Sequence, residues 1–355
     1  MTPVRRSRLG GGSALAALVA LALLATACGG GGGDDEVTIV THDSFALSES
    51  VLEAFEDETG ISVRLLPSGD AGEALNQAIL TKDNPQGDVF FGVDNTFLSR
   101  ALEEDLFVAY ESPGLASVDD AFELDDRHRV TPIDYGDVCL NFDRAWFAER
   151  GLAVPATLED LTAPEYEGLL VVQNPATSSP GLAFVLATIA HFGEDGWLDY
   201  WARLRDNGVA VAQGWEDAYF GQITWGSGGD GDRPLVVSYA SSPPAEVLAA
   251  EEEVDEAPTG VLLDSCYRQI EFAGILAGTE HREEAEQLID FMLSPELQED
   301  IPLQMFVFPV NADAVLPDVF VEHAELADEP LELAPDRVGA ARDDWIEEWT
   351  DTVLR

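Results

Sequence analysis

Strand-like and helix-like segments alternate along most of this 355-residue chain. The clearest strand is residues 88–94, an apolar run bounded by aspartates, as expected for a strand buried on both faces. Asp70 precedes one apolar-periodic segment and Gly60 follows another, which are signals of a helix start and a helix end. This alternation predicts an α/β fold with a mostly parallel sheet that helices cover on both sides. The other predicted strands are 37–41, 61–66, 138–142, 169–173 and 234–239.

Residues 1–27 have the pattern of a bacterial export signal. Arginines precede an apolar run at 14–24, and small residues then lead to Cys28. The run is short for a membrane span, and a true N-terminal anchor helix is the alternative. We expect cleavage before a lipid-modified Cys28, followed by a glycine-rich tether over residues 28–36. The mature protein is then predicted to lie outside the cytoplasmic membrane, attached by its lipid.

Composition limits the partners and the architecture. The formal net charge is -50, so the phosphates of a nucleic acid would be repelled. The same acidity weakly favours a cationic ligand, although a solvated surface accounts for most of the carboxylates. About 320 residues follow the tether, which is more than one core usually serves. Two lobes are therefore predicted.

The cysteines and histidines give no sign of a metal or redox site. Cys139 and Cys266 favour one disulfide in an exported protein, with two buried free thiols as the alternative. The five histidines are scattered without ligand spacing, so neither a metal nor a cofactor is predicted. Residues 226–231 match G-x-G-x-x-G, but no strand precedes them and neighbouring aspartates would repel phosphate. We interpret that stretch as a loop.

Small polar residues follow several predicted strands, at the rim where open α/β sheets bind ligands. They include Asp70, Ser178, Ser179, Ser241 and Ser242. Ser178 and Ser179 begin an apolar helix and would suit an anion there, with ordinary helix capping as the alternative. The rings of Trp215 and Tyr239 suit a flat cation when carboxylates are near, with core packing as the alternative.

Seven segments then occur in a recognisable order. They are 42–46, 88–95, 133–136, 174–181, 213–219, 238–243 and 294–298. The most specific contain Thr-Ser-Ser-Pro-Gly, Gly-Trp-Glu-Asp-Ala-Tyr and Ser-Tyr-Ala-Ser-Ser-Pro. Together they resemble the thiamine-binding proteins of bacterial ABC importers, over about residues 37–310.

The resemblance implies a two-lobed periplasmic-binding-protein-like fold (type II) with a hinge between the lobes. Lobe 1 would comprise residues 37–134 and 262–320, and lobe 2 residues 135–261. The lobes would close over thiamine or its phosphate esters. We expect the acidic tail, 321–355, to pack on the body as a helix.

The resemblance also assigns site residues. Asp70 and Ala71 would line the cleft from the first lobe, and Ser178 and Ser179 would meet the hydroxyl or phosphate end of the ligand. The ring systems would be held by Trp215, Tyr239, Ala240, Ser241, Ser242 and Pro243. Three family aromatics are replaced here, by His42, Ala245 and Phe306.

The function that follows is a non-enzymatic receptor, expected to be a monomer, that delivers its ligand to an ABC permease. One alternative keeps the fold and binds a polyamine, or a ferric ion through Tyr135, Tyr239 and Tyr267. Another is a thiamine-degrading enzyme with a cysteine nucleophile. Cys139 and Cys266 both lie in apolar segments, so neither is predicted to face a cleft.

Overall fold

The computed structural model describes residues 35–225 and 231–355. The predicted signal peptide, Cys28 and the glycine run lie outside the described residues, as does most of the loop predicted at 226–231. The strands are β1 (Asp35–Thr41), β2 (Ile61–Pro67), β3 (Val89–Asp94), β4 (Phe107–Val108), β5 (Thr131–Asp143), β6 (Leu170–Gln173), β7 (Ala210–Ala212), β8 (Leu235–Tyr239), β9 (Thr259–Leu276) and β10 (Phe308–Pro309).

The helices connect these strands and cover the sheet. The α-helices are α1 (Glu49–Thr59), α2 (Ala71–Leu80), α3 (Leu98–Glu103), α4 (Arg144–Arg150), α5 (Ser179–Phe192), α6 (Trp197–Asp206), α7 (Trp215–Gly221), α8 (Pro243–Ala249), α9 (Arg282–Met292), α10 (Pro295–Gln298), α11 (Ile301–Gln304), α12 (Asp318–His323) and α13 (Pro335–Val353). Short 3₁₀ helices span Pro113–Ser117, Asp120–Phe122, Glu159–Thr162 and Pro164–Tyr166.

The strands form one sheet in the order β2-β1-β3-β9-β5-β8-β6-β7, with β4 beside β9 and β10 beside β5. Its two ends are parallel: β1 pairs with β2 and β3, and β6 pairs with β7 and β8. Between them the long strands β5 and β9 pair antiparallel with each other and with their neighbours. The predicted α/β class is confirmed, and the antiparallel centre is a feature that the alternation of segments did not indicate.

Local signals explain why these elements begin and end where they do. Asp70 caps α2 by accepting a hydrogen bond from the Ala71 amide at 2.6 Å. Gly60 ends α1 in the left-handed conformation, with φ of 74°. Every residue of β3 is buried, as the apolar run predicted.

A disulfide joins the two central strands. Cys139 of β5 is bonded to Cys266 of β9, and both residues are completely buried. The disulfide is therefore the correct one of the two alternatives considered for this pair. It ties together segments that are 127 residues apart in sequence, at the place where the two ends of the sheet meet.

The C-terminal helix packs on the body, as expected. The ring of Trp349 in α13 lies 5.4 Å from that of Trp201 in α6, at an interplanar angle of 80°. Nearer the middle of the helix, Arg342 donates to the Ser99 hydroxyl of α3 at 3.2 Å. The helix thus contacts elements from both halves of the sheet.

Candidate ligand-binding site

A cavity of about 440 Å³ lies where the segments after β1 and β2 face α7 and β8. This volume is within the range of roughly 300–1,000 Å³ that is usual for small-molecule pockets. Its lining residues are His42, Asp43, Ser44, Phe45, Ala46, Asp70, Ala71, Ser179, Pro180, Trp215, Glu216, Tyr219, Phe220, Tyr239, Ser242, Ala245, Glu271, Gln304, Met305, Phe306 and Val307.

Asp70 connects the two sides of the cavity. One carboxylate oxygen caps α2, and the other accepts a hydrogen bond from the backbone amide of Trp215 at 2.7 Å. Burial raises the pKa of Asp70 to about 6, because the cost of desolvating the carboxylate exceeds what the Trp215 amide returns. A second contact joins α2 to the segment before α5, since the Glu73 amide donates to the Thr177 carbonyl at 3.1 Å.

His42 and Glu271 form an ion pair on the cavity lining. The imidazole Nε2 lies 3.7 Å from the Oε1 atom of Glu271, and both residues are 8% exposed. Burial alone would lower the pKa of His42, but the carboxylates of Glu271 and Asp70 outweigh it, and the pKa is raised. The imidazolium is thus stabilised by the acids around it.

Glu271 is the central member of a row of three acids. It lies in β9, opposite Asp94 of β3 on one side and Asp134 of β5 on the other. Burial raises the pKa of Asp94 to about 7, in spite of the hydrogen bonds from Thr96. Burial and the neighbouring Glu271 raise the pKa of Asp134 well above its usual range. Of this row, Glu271 is the member that lines the cavity.

The opposite side of the cavity is built from stacked rings. Trp215 and Tyr219 lie one turn apart on α7, with ring centroids 4.8 Å apart and an interplanar angle of 18°. Phe220 meets Trp215 edge-on at 5.4 Å. The indole nitrogen donates to the Ser238 hydroxyl at 2.9 Å, which fixes the plane of the ring. A ring held in this way is a preformed surface for stacking.

A chain of hydrogen bonds lies between the two sides. The Tyr239 hydroxyl donates to Gln269 Oε1 at 2.9 Å, and the Gln269 amide donates to the Ser179 hydroxyl at 3.0 Å. Burial and the nearby acids raise the pKa of Tyr239, so it remains a neutral phenol. Ser179 begins α5, and its hydroxyl therefore reaches the cavity from the start of a helix.

Residues 84–324 match the family described as bacterial extracellular solute-binding protein. The chain belongs to this family. It is 31% identical to a thiamine-binding periplasmic protein of Salmonella typhimurium and 30% identical to that of Escherichia coli, over 90% of this chain and 94% of each relative. A solved periplasmic thiamin binding protein superposes with a TM-score of 0.78 at 28% identity, covering 90% of this chain and 96% of that one.

The resemblance predicted from the short segments is confirmed by these matches, and so is the periplasmic-binding-protein-like fold. The matched regions cover 94% of the Salmonella relative and 96% of the solved structure, so the likeness extends over nearly the whole length of those proteins. The lobe boundaries predicted from the resemblance remain a prediction.

The structure brings together six of the ten ligand-binding residues predicted from the sequence. Those on the cavity lining are Asp70, Ala71, Ser179, Trp215, Tyr239 and Ser242. The other four are buried beside it and do not line it: Ser178 is the N-cap of α5, Ala240 packs near the disulfide, Ser241 is in the turn after β8, and Pro243 begins α8. They are neighbours that support the lining residues.

Several lining residues were not predicted from the sequence. Phe45 and Glu216 lie within segments that carried the resemblance, and their place in those segments could have identified them as site residues. Glu271 had no such signal, because it lies outside the matched segments, in a long strand that carries other polar residues such as Arg268 and Gln269. Met305, Phe306 and Val307 reach the cavity from the loop before β10, and Phe306 adopts a positive φ of 56° there.

Proposed function

We propose that this protein is an extracytoplasmic receptor that binds thiamine and delivers it to an ABC permease. The observation that carries the proposal is a cavity lined by four carboxylates and by fixed aromatic rings, in a chain whose relatives are named for thiamine binding. The class of ligand follows from that pairing of charge and flat surfaces.

Thiamine matches the cavity in three respects. Its thiazolium ring carries a fixed positive charge, and four acids line the cavity: Asp43, Asp70, Glu216 and Glu271. Its two flat rings match the exposed faces of the aromatic side, where cation–ring attraction adds to stacking. Its amine and hydroxyl groups match the hydroxyls of Ser179 and Tyr239.

Capture would proceed by closure of the two lobes around β5 and β9, the long strands that connect the ends of the sheet. The hydrogen bond from the Trp215 amide to Asp70 joins the two sides when they meet. A ligand that contacts both sides stabilises the closed form relative to the open one. The protein would act in this way as a monomer without a cofactor.

Titration of the purified protein with thiamine, followed by tryptophan fluorescence, tests the proposal. Trp215 lies on the cavity lining, so bound ligand should change its emission in a saturable manner at micromolar thiamine or below. Parallel titrations with thiamine phosphates rank the esters, and the acidic lining favours the unphosphorylated cation. Unchanged emission and no heat of binding at these concentrations would contradict the proposal.

A polyamine is the second candidate, because the four acids on the lining would also suit several ammonium groups. Displacement of thiamine by spermidine, in the same fluorescence titration, distinguishes the two ligands. A ferric ion as the ligand has less support. Of its three tyrosines Tyr239 lines the cavity, whereas Tyr135 stacks on Phe308 and Tyr267 is buried elsewhere. Among the described residues no group of three or more His, Cys, Asp or Glu is arranged to hold a metal.

The binding role is proposed to be non-enzymatic. Cys139 and Cys266, the two candidate nucleophiles, are joined in the buried disulfide, so neither presents a thiolate to the cavity. Prolonged incubation with thiamine should return the vitamin intact. Chromatographic detection of a separated pyrimidine product would contradict a pure binding role.

We also propose attachment to the membrane through a lipid on Cys28. Within the stretches 35–225 and 231–355 no helix is long and apolar enough to cross a membrane. Replacement of Cys28 by serine should release the protein from the membrane fraction of cells that express it. Continued sedimentation of that variant with the membrane would contradict lipid anchoring.

A further inference from the structure

We propose that His42 and Glu271 form the cation-recognition pair of this cavity, in which the positive ring of the ligand replaces the imidazolium as the partner of Glu271 and one proton is released. The inference rests on the proposed function, because it concerns how the same cavity recognises thiamine. It assigns Glu271 as a specificity-determining residue and His42 as its exchangeable counter-ion.

The geometry of the pair permits exchange. The distance of 3.7 Å between Nε2 of His42 and Oε1 of Glu271 allows an ion pair but exceeds a hydrogen bond. Nε2 has no hydrogen-bond partner among the described residues, although the residue is 92% buried. The interaction of the imidazole with Glu271 therefore depends on charge and not on a fixed hydrogen bond, while packing against Phe91 positions the ring. Both residues line the cavity, so a ligand can reach the carboxylate.

The neighbours of Glu271 make it the acid that presents charge to the ligand. Asp94 and Asp134 lie beside it on the adjacent strands and do not line the cavity. The raised pKa of Asp134 favours its protonated form near neutral pH, and Asp94, with a pKa of about 7, is partly protonated there, which lessens the repulsion on Glu271. A cation inside the cavity therefore finds its buried negative partner at Glu271.

Proton release follows from the surroundings of His42. The acids that face it are Glu271 from β9, Asp70 from the start of α2, Asp43 from its own loop and Glu216 from α7. A ligand cation beside Glu271 removes the strongest of these attractions and repels the imidazolium. The pKa of His42 then falls, its ring N–H bond breaks, and the proton passes to solvent while the ring remains neutral. Affinity should accordingly rise with pH, by at most about tenfold per pH unit for one proton.

Calorimetry measures this proton directly. Thiamine is titrated into the protein at pH 7 in two buffers of different ionisation enthalpy, and the difference in heat gives the protons released. The wild-type protein should release a measurable fraction of one proton, and His42→Gln should release clearly less. His191→Gln is the matched control, because His191 pairs with Glu159 at 3.1 Å outside the cavity. It should behave as the wild type.

Asp70 also titrates near this range, since its pKa is about 6. Its deprotonation would strengthen cation binding in the same direction as the loss of the His42 proton. The pH profiles of wild type and His42→Gln are therefore compared together with the proton count from calorimetry, because loss of the His42 charge also raises the pKa of Asp70 in the variant.

Glu271→Gln tests the recognition of charge. Wild-type protein should bind thiamine more tightly than its neutral thiophene analogue, in which carbon replaces the charged ring nitrogen, by roughly tenfold or more. In Glu271→Gln that ratio should fall towards one. Thermal melting by circular dichroism checks that the variant folds, and His42→Gln provides an independent test if it does not.

The outcomes separate the two proposals. Tight thiamine binding without proton release, together with an unchanged preference for the charged ring in Glu271→Gln, would overturn the pair and leave the proposed function standing. Failure of thiamine to bind, with spermidine binding and releasing the His42 proton, would overturn the proposed ligand and support the pair. Equal proton release by wild type and His42→Gln would overturn the pair in either case.

Discussion

The side of the cavity that follows β1 and β2 presents most of the charged groups, whereas the side built from α7 and β8 presents the stacked rings and one acid, Glu216. On the first side Asp70 and His42 are nearly buried and hold perturbed pKa values, so small changes in charge alter their protonation. On the second side Trp215 is half-buried and its plane is fixed by neighbouring rings and a hydrogen bond. The charged side is suited to discriminate between ligands, and the aromatic side is suited to supply contact area.

Both sides of the cavity are connected through β5 and β9. Removal of the disulfide between these strands tests whether the stability of the fold can be changed without changing the affinity of the cavity. The double variant Cys139→Ala/Cys266→Ala should lower the free energy of unfolding by about 2–5 kcal/mol, the usual cost of losing a native disulfide. Thiamine affinity of the folded protein should be unchanged, because neither cysteine lines the cavity. Denaturant unfolding and fluorescence titration measure the two quantities.

Reduction of the wild-type protein provides the control for this prediction. A reductant should shift the wild-type unfolding transition towards that of the double variant and should leave the variant unchanged. A large loss of affinity in the folded double variant would mean that the two sides of the cavity depend on the disulfide for their geometry.

Asp70→Ala should have the largest effect on binding among single changes in the charged side. It removes one of the four lining acids, and it leaves the Trp215 amide without its partner. We expect a loss of about 2–4 kcal/mol in thiamine binding, measured by calorimetry. Asp119→Ala is the matched control, because Asp119 also caps a short helix but is exposed and lies outside the cavity. Equal affinities for the two variants would refute a role for Asp70 in recognition.

Trp215→Ala tests the aromatic side in the same assay. Loss of stacking and cation–ring attraction should weaken thiamine binding by roughly 1–3 kcal/mol, without unfolding the protein. Trp146→Ala serves as the control, since Trp146 is also half-buried but contacts Phe147 and Arg150 away from the cavity. Collapse of the fold in Trp215→Ala, seen by circular dichroism, would show that this ring is a core residue.

Ala245→Tyr should have the smallest effect, and a favourable one. Ala245 lines the cavity at a position where the thiamine-binding proteins that the sequence resembles have an aromatic residue. A ring there should improve thiamine binding by about 0.5–1.5 kcal/mol through an added aromatic contact. Ala245→Leu controls for added volume without a π face and should gain less. If both variants bind more weakly than wild type, the space beside Ala245 is needed by the ligand itself.

The sequence predicted the elements of this fold well where local chemistry sets them. Gly60 ends a helix through its backbone freedom, and Asp70 caps the next helix through its side chain. The buried strand β3 is readable because both of its faces are apolar. The lengths of β5 and β9 could not be predicted from the sequence, because polar residues at their centres face the cavity or one another and interrupt the apolar pattern that marks a strand.

The site could be predicted only in part, because some of its residues are identified by local pattern and others only by their neighbours in space. Asp70, Ser179, Trp215 and Tyr239 lie at ends of elements, and all of them except Asp70 also lie within the matched segments, so position or pattern identifies each of them. Glu271 acquires its role from its neighbours, and those neighbours come from β3, β5 and the loop after β1. Nothing within residues 259–276 indicates them.

The sequence by itself determined the α/β class, the end of α1 at Gly60 and the start of α2 at Asp70, the family and six of the residues that line the cavity, because each depends on short-range pattern. The tertiary structure decided which of those residues share a cavity, that Cys139 meets Cys266, and that His42 lies against Glu271. Charge interactions and burial depend on distance in space, and the order of residues along the chain does not fix that distance.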